Sequence, residues 1–128
     1  MAPLRERLRW AVVVVDLDPV VGHEQAGTRR ALVVSYEPFH GSGLVTVCPI
    51  TAARSEPRYP GDVSIQSGEA GQTRAAVIIC SQIRTISAGR LRGRPVGIIG
   101  DPGTRSAVRD ALAHHLGLDV PSALDGAA

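Results

Sequence analysis

Apolar residues in this chain come in short runs separated by glycine, proline and charge. Residues 10–17 are nearly continuous in valine and predict a first strand covered on both faces. Asp18 and Pro19 end it, and a polar, glycine-punctuated loop follows over 22–29. Residues 30–35 predict a second strand, and 36–43, with Pro38, Gly41 and Gly43, a turn or a single helical turn. A third strand is predicted over 44–50, stopped by Thr51 and the polar segment 52–60. Val63 and Ile65 alternate with polar neighbours over 62–66, the pattern of a half-exposed strand. A turn over 68–72 leads to a fifth strand at 74–80, then a short polar and apolar segment to Ser87, then a sixth strand at 95–99.

The pattern changes period only near the C-terminus. Val108, Leu112 and Leu116 recur every four residues with Ala111 beside them, which predicts a helix over 102–116 with one apolar stripe. Asp101 is suited to its N-cap, Pro102 to its first position and Gly117 to its end. Many short strands and one terminal helix predict a mainly β fold, a small bent sheet or barrel with the helix packed on it. At 128 residues this is one domain, with a core over about 10–117 and a frayed tail over 118–128.

Composition narrows the chemistry. Trp10, Tyr36, Phe39 and Tyr59 are the whole aromatic complement, so the core is aliphatic and recognition by many stacked rings is disfavoured. All 14 basic residues are arginine, so every cation is a planar fork suited to phosphate or carboxylate. A formal charge of +2 is too small to mark a general nucleic-acid binder, and any positive field must be local. Cys48 and Cys80 lie in apolar runs without metal or redox spacing and read as buried free thiols of a cytoplasmic protein. The apolar run after Arg5, Arg7 and Arg9 is too short for a signal peptide or a membrane span. His114 and His115 are adjacent on a helix and cannot converge on one ion, and His23 and His40 stand in separate loops, so neither a metal nor another cofactor is expected.

Three segments then act together. VVVVDLDP followed by GHEQAGTRRALVVS, VTVCPIT with Tyr59-Pro60 downstream, and ICSQIRTIS with Arg90-Leu91 after it occur in one order and spacing over most of 12–97. In these motifs the chain resembles the MazF/PemK family of type II toxin–antitoxin toxins, sequence-selective and metal-independent endoribonucleases also called mRNA interferases. The resemblance implies an SH3-like β-barrel of about five to seven strands with a C-terminal helix, assembled as a homodimer. It further implies single-stranded RNA as substrate, no cleavage of DNA, and a cognate MazE-like antitoxin whose acidic segment covers the RNA groove. The family's catalytic arginine and threonine fall on Arg29 and Thr51, and its loop Glu and Gln on Glu24 and Gln25. Gln82 and Arg84 fall on groove positions of the third motif, and Arg30 adds a cation beside the site.

These residue types suit the implied reaction. Attack of a ribose 2′-OH on the adjacent phosphorus concentrates negative charge on the non-bridging oxygens, which an arginine fork stabilises without a metal. The products are a 2′,3′-cyclic phosphate and a 5′-OH end. Glu24 and His23 are the candidates for taking the 2′-OH proton. Taken singly, each of these side chains reads better as an ordinary structural or solvated residue than as a functional one, and only their common register reverses that. The chain also departs from the family pattern. Arg9-Trp10-Ala11 stands where Arg-Gly-acid is usual, Arg30 stands for Pro, Gly61-Asp62 for Phe-Glu, and Ser81 for an acid. The alternatives are therefore a non-nucleolytic binder of the same fold, either a gyrase-poison-like toxin or a silent paralogue that only titrates antitoxin. Against the first, the chain lacks a Trp-Gly-Ile ending.

Overall fold

The structure, a computed structural model, describes residues 8–24, 27–52 and 61–121. Seven strands and one α-helix follow in order: β1 (Ala11–Asp16), β2 (Thr28–Val33), β3 (Leu44–Ala52), β4 (Asp62–Ile65), β5 (Ala76–Ile79), β6 (Arg84–Ser87), β7 (Leu91–Ile98) and α1 (Pro102–His115). All strand pairs are antiparallel, in the order β4-β5-β3-β2-β1-β7, with β6 also on β3.

The valine run of β1 is explained by two cores, one on each face of the sheet. Val12 joins Trp10, Leu32, Cys48, Ile50 and Ile78 under Val108 and Ala111 of α1. Ala11, Val13 and Val15 face the other way, among Leu17, Ala31, Val33, Val45, Val47 and Ile86. A sheet covered on one side only would leave every second valine in water, each worth about 1.5–3 kcal/mol when buried. The helix behaves as its sequence predicts: Asp101 Oδ2 accepts from the Thr104 amide at 2.8 Å, and Gly117 takes φ +72° just past its end. The 36–43 segment contains a 3₁₀ turn (Glu37–Ser42) closed by Gly43 at φ +85°.

β3 organises the rest. Leu32 and Cys48 face each other across β2 and β3, while the opposite edge of β3 is shared by two partners. Its first half pairs β6 (Leu44 with Ser87, Val47 with Arg84) and its second half pairs β5 (Ile50 with Ile78, Ala52 with Ala76). Seven residues from Ile78 to Arg84 thus run against four from Ile50 to Val47, and the surplus forms a 3₁₀ turn over Cys80–Gln82. β5 and β6 are one strand interrupted by a bulged turn.

Four boundaries differ from the sequence reading, each because a distant partner extends or shortens a strand. β2 begins at Thr28, since Asp16 and Val15 of β1 pair with Thr28 and Arg29, so Arg29 is a strand residue and not a loop residue. β3 runs on through Thr51 to Ala52 because β5 offers Val77 and Ala76. The irregular segment before Ser87 contains β6, and β7 begins at Leu91, paired to Val15, well before Pro95. β5 is shorter than its apolar run and begins only at Ala76, opposite Ala52 and Ile65. Gln25, Tyr59, Pro60 and the tail beyond Pro121 lie outside the described residues.

Candidate active site

The β2–β3 ladder brings two of the expected residues together. Ala31 is paired with Pro49, and two residues further along each strand stand Arg29 and Thr51. Both line a cleft of about 280 Å³ bounded on its far side by Gln72, Thr73 and Arg74. Arg30 lines it too, with its guanidinium turned to the far wall, where Nη1 donates to Gln72 Oε1 at 3.1 Å and to the Gly71 carbonyl at 3.4 Å. Among the described residues, three arginines and no Asp or Glu line this cleft. With low-dielectric strands as walls, such a charge set draws in an anion.

Arg74 and Gln72 were not among the residues singled out from sequence. Arg74 carries a signal only in hindsight, as a cation two positions before the partner of Ala52. Gln72 has none, because its role is to anchor Arg30 from 42 residues away.

Glu24, Gln82 and Arg84 form a second group that shapes the loop after β1. The neck of this loop is closed by Leu17 N–H donating to the Gly27 carbonyl (3.0 Å) and Gly27 N–H donating to Asp18 Oδ1 (3.0 Å). Glu24 Oε1 accepts from the Val21 amide at 2.8 Å, and its Oε2 lies 4.0 Å from Arg84 Nη1. Arg84 Nη1 also donates to the Leu17 carbonyl at 3.2 Å, and Gln82 Nε2 donates to the His23 carbonyl at 3.5 Å. Arg90, a residue of the third motif given no role from sequence, donates to the carbonyls of Asp16 and Asp18. The bulged turn and the strands on either side of it thus hold the loop by its backbone. None of Glu24, Gln82 and Arg84 lines the Arg29–Thr51 cleft.

The departure from the motif pattern at Trp10 also has a backbone signature. Trp10 has φ +70°, a conformation glycine adopts readily and tryptophan at a cost. Burial of its ring to 6 % exposure and contacts with three arginines offset that cost.

A small antiparallel β fold with a C-terminal helix is the architecture of solved bacterial toxins. MazF from Deinococcus radiodurans superposes with a TM-score of 0.72 at 26 % identity, over 85 % of this chain and 94 % of that one. Its complex with MazE gives 0.69 at 25 % identity, over 89 % and 98 %. The chain belongs to the family of PemK-like, MazF-like toxins of type II toxin–antitoxin systems, whose family model matches residues 8–116. Among curated relatives, it is 33 % identical to the endoribonuclease toxin ChpB of Escherichia coli over 94 residues, 73 % of this chain and 80 % of ChpB. It is 39 % identical to the endoribonuclease EndoA of Bacillus subtilis over 84 residues, 65 % of this chain and 72 % of EndoA. No helix among the described residues is long and apolar enough to cross a membrane.

Proposed function

We propose that this chain is a toxin that cleaves single-stranded RNA at the Arg29–Thr51 cleft, without a metal. The observation that carries the reading is the cleft at the ends of β2 and β3 in which Arg29, Arg30 and Arg74 stand together with Thr51. Arg29 supplies a fixed positive charge to the phosphate as it gains negative charge, and Thr51 donates its hydroxyl to the same group. Arg30, held by Gln72, and Arg74 attract and orient the neighbouring phosphates. Gln25, Gln82 and Arg84 belong to the RNA-recognition side of the reading, with Gln82 and Arg84 setting the shape of the loop that carries Glu24.

Glu24, outside the cleft lining but on the loop that leads into Thr28 and Arg29, is the proposed acceptor of the 2′-OH proton for RNA laid across both loop and cleft. Its present partners separate this role from a structural one. Glu24→Gln keeps an oxygen for the Val21 amide but loses basicity, so a basic role predicts a 10²- to 10⁴-fold fall in kcat with the loop intact. The relatives crystallised with MazE and with a cognate antitoxin support assembly with an acidic antitoxin, and the family supports a homodimer. The deciding experiment incubates purified protein with long mixed-sequence RNA in EDTA and maps the ends. Cyclic phosphate and 5′-OH ends that disappear in Arg29→Ala are expected. Intact RNA, or equal cutting by Arg29→Ala, refutes the reading.

A further inference from the structure

We propose that Arg9, Arg105 and Arg109, gathered around Trp10, form a second contact for the phosphate backbone of single-stranded RNA, outside the cleavage cleft. The inference rests on the reading of the chain as an RNA-cleaving enzyme. The three guanidinium carbons lie 5.5, 5.2 and 5.2 Å from the centre of the Trp10 ring. Among the described residues none of the three is in an ion pair. Arg9 Nε is buried without a hydrogen-bond partner, whereas Arg105 Nε donates to the Ile99 carbonyl at 2.6 Å and Arg109 is exposed. A ring quadrupole attracts each cation but carries no net charge, so three like charges remain uncompensated until an anion arrives.

The arrangement selects an extended, repeating anion. Arg105 and Arg109 are one helical turn apart, about 6 Å along α1, a spacing comparable to that of successive phosphates in a single strand. Arg9 adds a third cation from the start of β1, and lies 5.7 Å from the ring of Tyr36, which is 63 % exposed. An open aromatic face beside arginines is what an unpaired base stacks on, and an acidic peptide has no use for it. Another face of α1 borders a groove lined by Asp62, Asp101, Asp110 and Asp119, which repels a polyanion and confines its path to the arginine side. Trp10 stands five residues along β1 from Val15, the partner of Arg29, roughly 17 Å at strand spacing. A long RNA reaches both places and a short one only the cleft.

The test measures binding of the full-length protein to fully 2′-O-methylated RNA, which lacks the attacking hydroxyl and is not cut. A 24-mer and a 3-mer, whose two phosphates span about 6 Å and cannot reach both places, are titrated across a salt series. For Arg105→Gln/Arg109→Gln, the 24-mer is expected to bind roughly 10-fold more weakly at 0.1 M salt, with the slope of log K against log salt reduced by about 1.4, two phosphate contacts at 0.7 each. The 3-mer is expected to bind as before. Arg109→Gln alone, at an exposed position, is expected to lower the slope by about 0.7, and Arg109→Lys to keep it. Thermal unfolding confirms that the variants are folded. If wild type cuts unmodified RNA but the variants keep affinity and slope for the 24-mer, the second contact is refuted and the cleavage reading stands. If the variants lose binding of polyglutamate and not of RNA, the patch is a protein-docking surface and the proposal is overturned. A wild type that neither cuts nor binds RNA brings down both.

Discussion

At Gly97 and Gly71 two backbone segments approach too closely to admit a side chain, and a single methyl group tests it. A Cβ on Gly97 would stand 2.2 Å from the Ala70 carbonyl oxygen, 2.3 Å from its carbon and 2.8 Å from the Gly71 nitrogen. The approach is reciprocal, since a Cβ on Gly71 would meet the Val96 oxygen at 2.2 Å. Reaching even a 3.0 Å contact requires β7 and the 69–71 turn to part by about 0.8 Å, and no side-chain rotation helps because both partners are backbone. Overpacking of this kind costs about 1–3 kcal/mol, and rigid partners place Gly97→Ala at the top of that range. For a chain of this length about 3 kcal/mol lowers Tm by roughly 10 °C. The matched control is Gly100→Ala, three residues on, where a Cβ meets nothing within 4 Å and φ is not positive. It should be neutral or raise stability by up to about 1 kcal/mol through the unfolded chain. Thermal denaturation followed by circular dichroism, at equal protein concentration, compares the two. Gly97→Ala melting within 2 °C of the control would refute the reasoning. Since Arg30 is anchored on Gly71 and Gln72, the same substitution should also weaken RNA cleavage in the folded fraction.

Asp101→Ala removes the acceptor for the Thr104 amide and should cost about 1 kcal/mol, read by urea unfolding, while Asp101→Asn costs much less. Arg84→Ala deletes the donor to the Leu17 carbonyl, so amide exchange over 17–24 should accelerate, with a stability loss of about 1–2 kcal/mol. The hydrogen bond that Cys48 shares with Cys80, its burial and the neighbouring Cys80 charge all push its thiol far above the ordinary range, so it should resist iodoacetamide at pH 8 until the protein unfolds. The folded thiol keeps its proton where the unfolded one releases it. Its contribution is therefore complete below about pH 8.5 and falls by about 1.4 kcal/mol per pH unit above that, a slope that Cys48→Ala should reduce.

What was legible in the sequence was whatever a short window determines. The helix was readable from Asp101 to Gly117 because cap, stripe and stop are all local signals. The strandedness of 11–16 was readable too, although the reason for its solid valine, a core on each face, lies in partners far along the chain. β6 was not readable, because Arg84–Ser87 alternates over only four residues and becomes a strand by pairing with Leu44–Val47, some 40 positions earlier. Arg29 and Thr51 could be named from their motifs, but their adjacency is a matter of ladder register, which those motifs do not encode. The clamp of Gln82, Arg84 and Arg90 on the loop consists of side-chain donors reaching carbonyls 59 to 74 positions away, and carbonyls have no sequence signature.

The interruption between β5 and β6 has an evolutionary consequence. Arg29 and Thr51 ride on strands whose register is set by two buried faces, so shifting either by one residue would turn a core inside out. Gln82 rides on surplus residues that pair with nothing on β3, and its neighbours on both sides are locked in place independently. Cys80 of that turn is buried in the core, but Ser81 and Gln82 can be exchanged without disturbing either half of the interrupted strand. Natural variation can thus change Gln82, a residue proposed for RNA recognition, while the groups proposed for bond cleavage stay still. Ser81, which replaces the acid usual beside Gln82, sits within that adjustable turn.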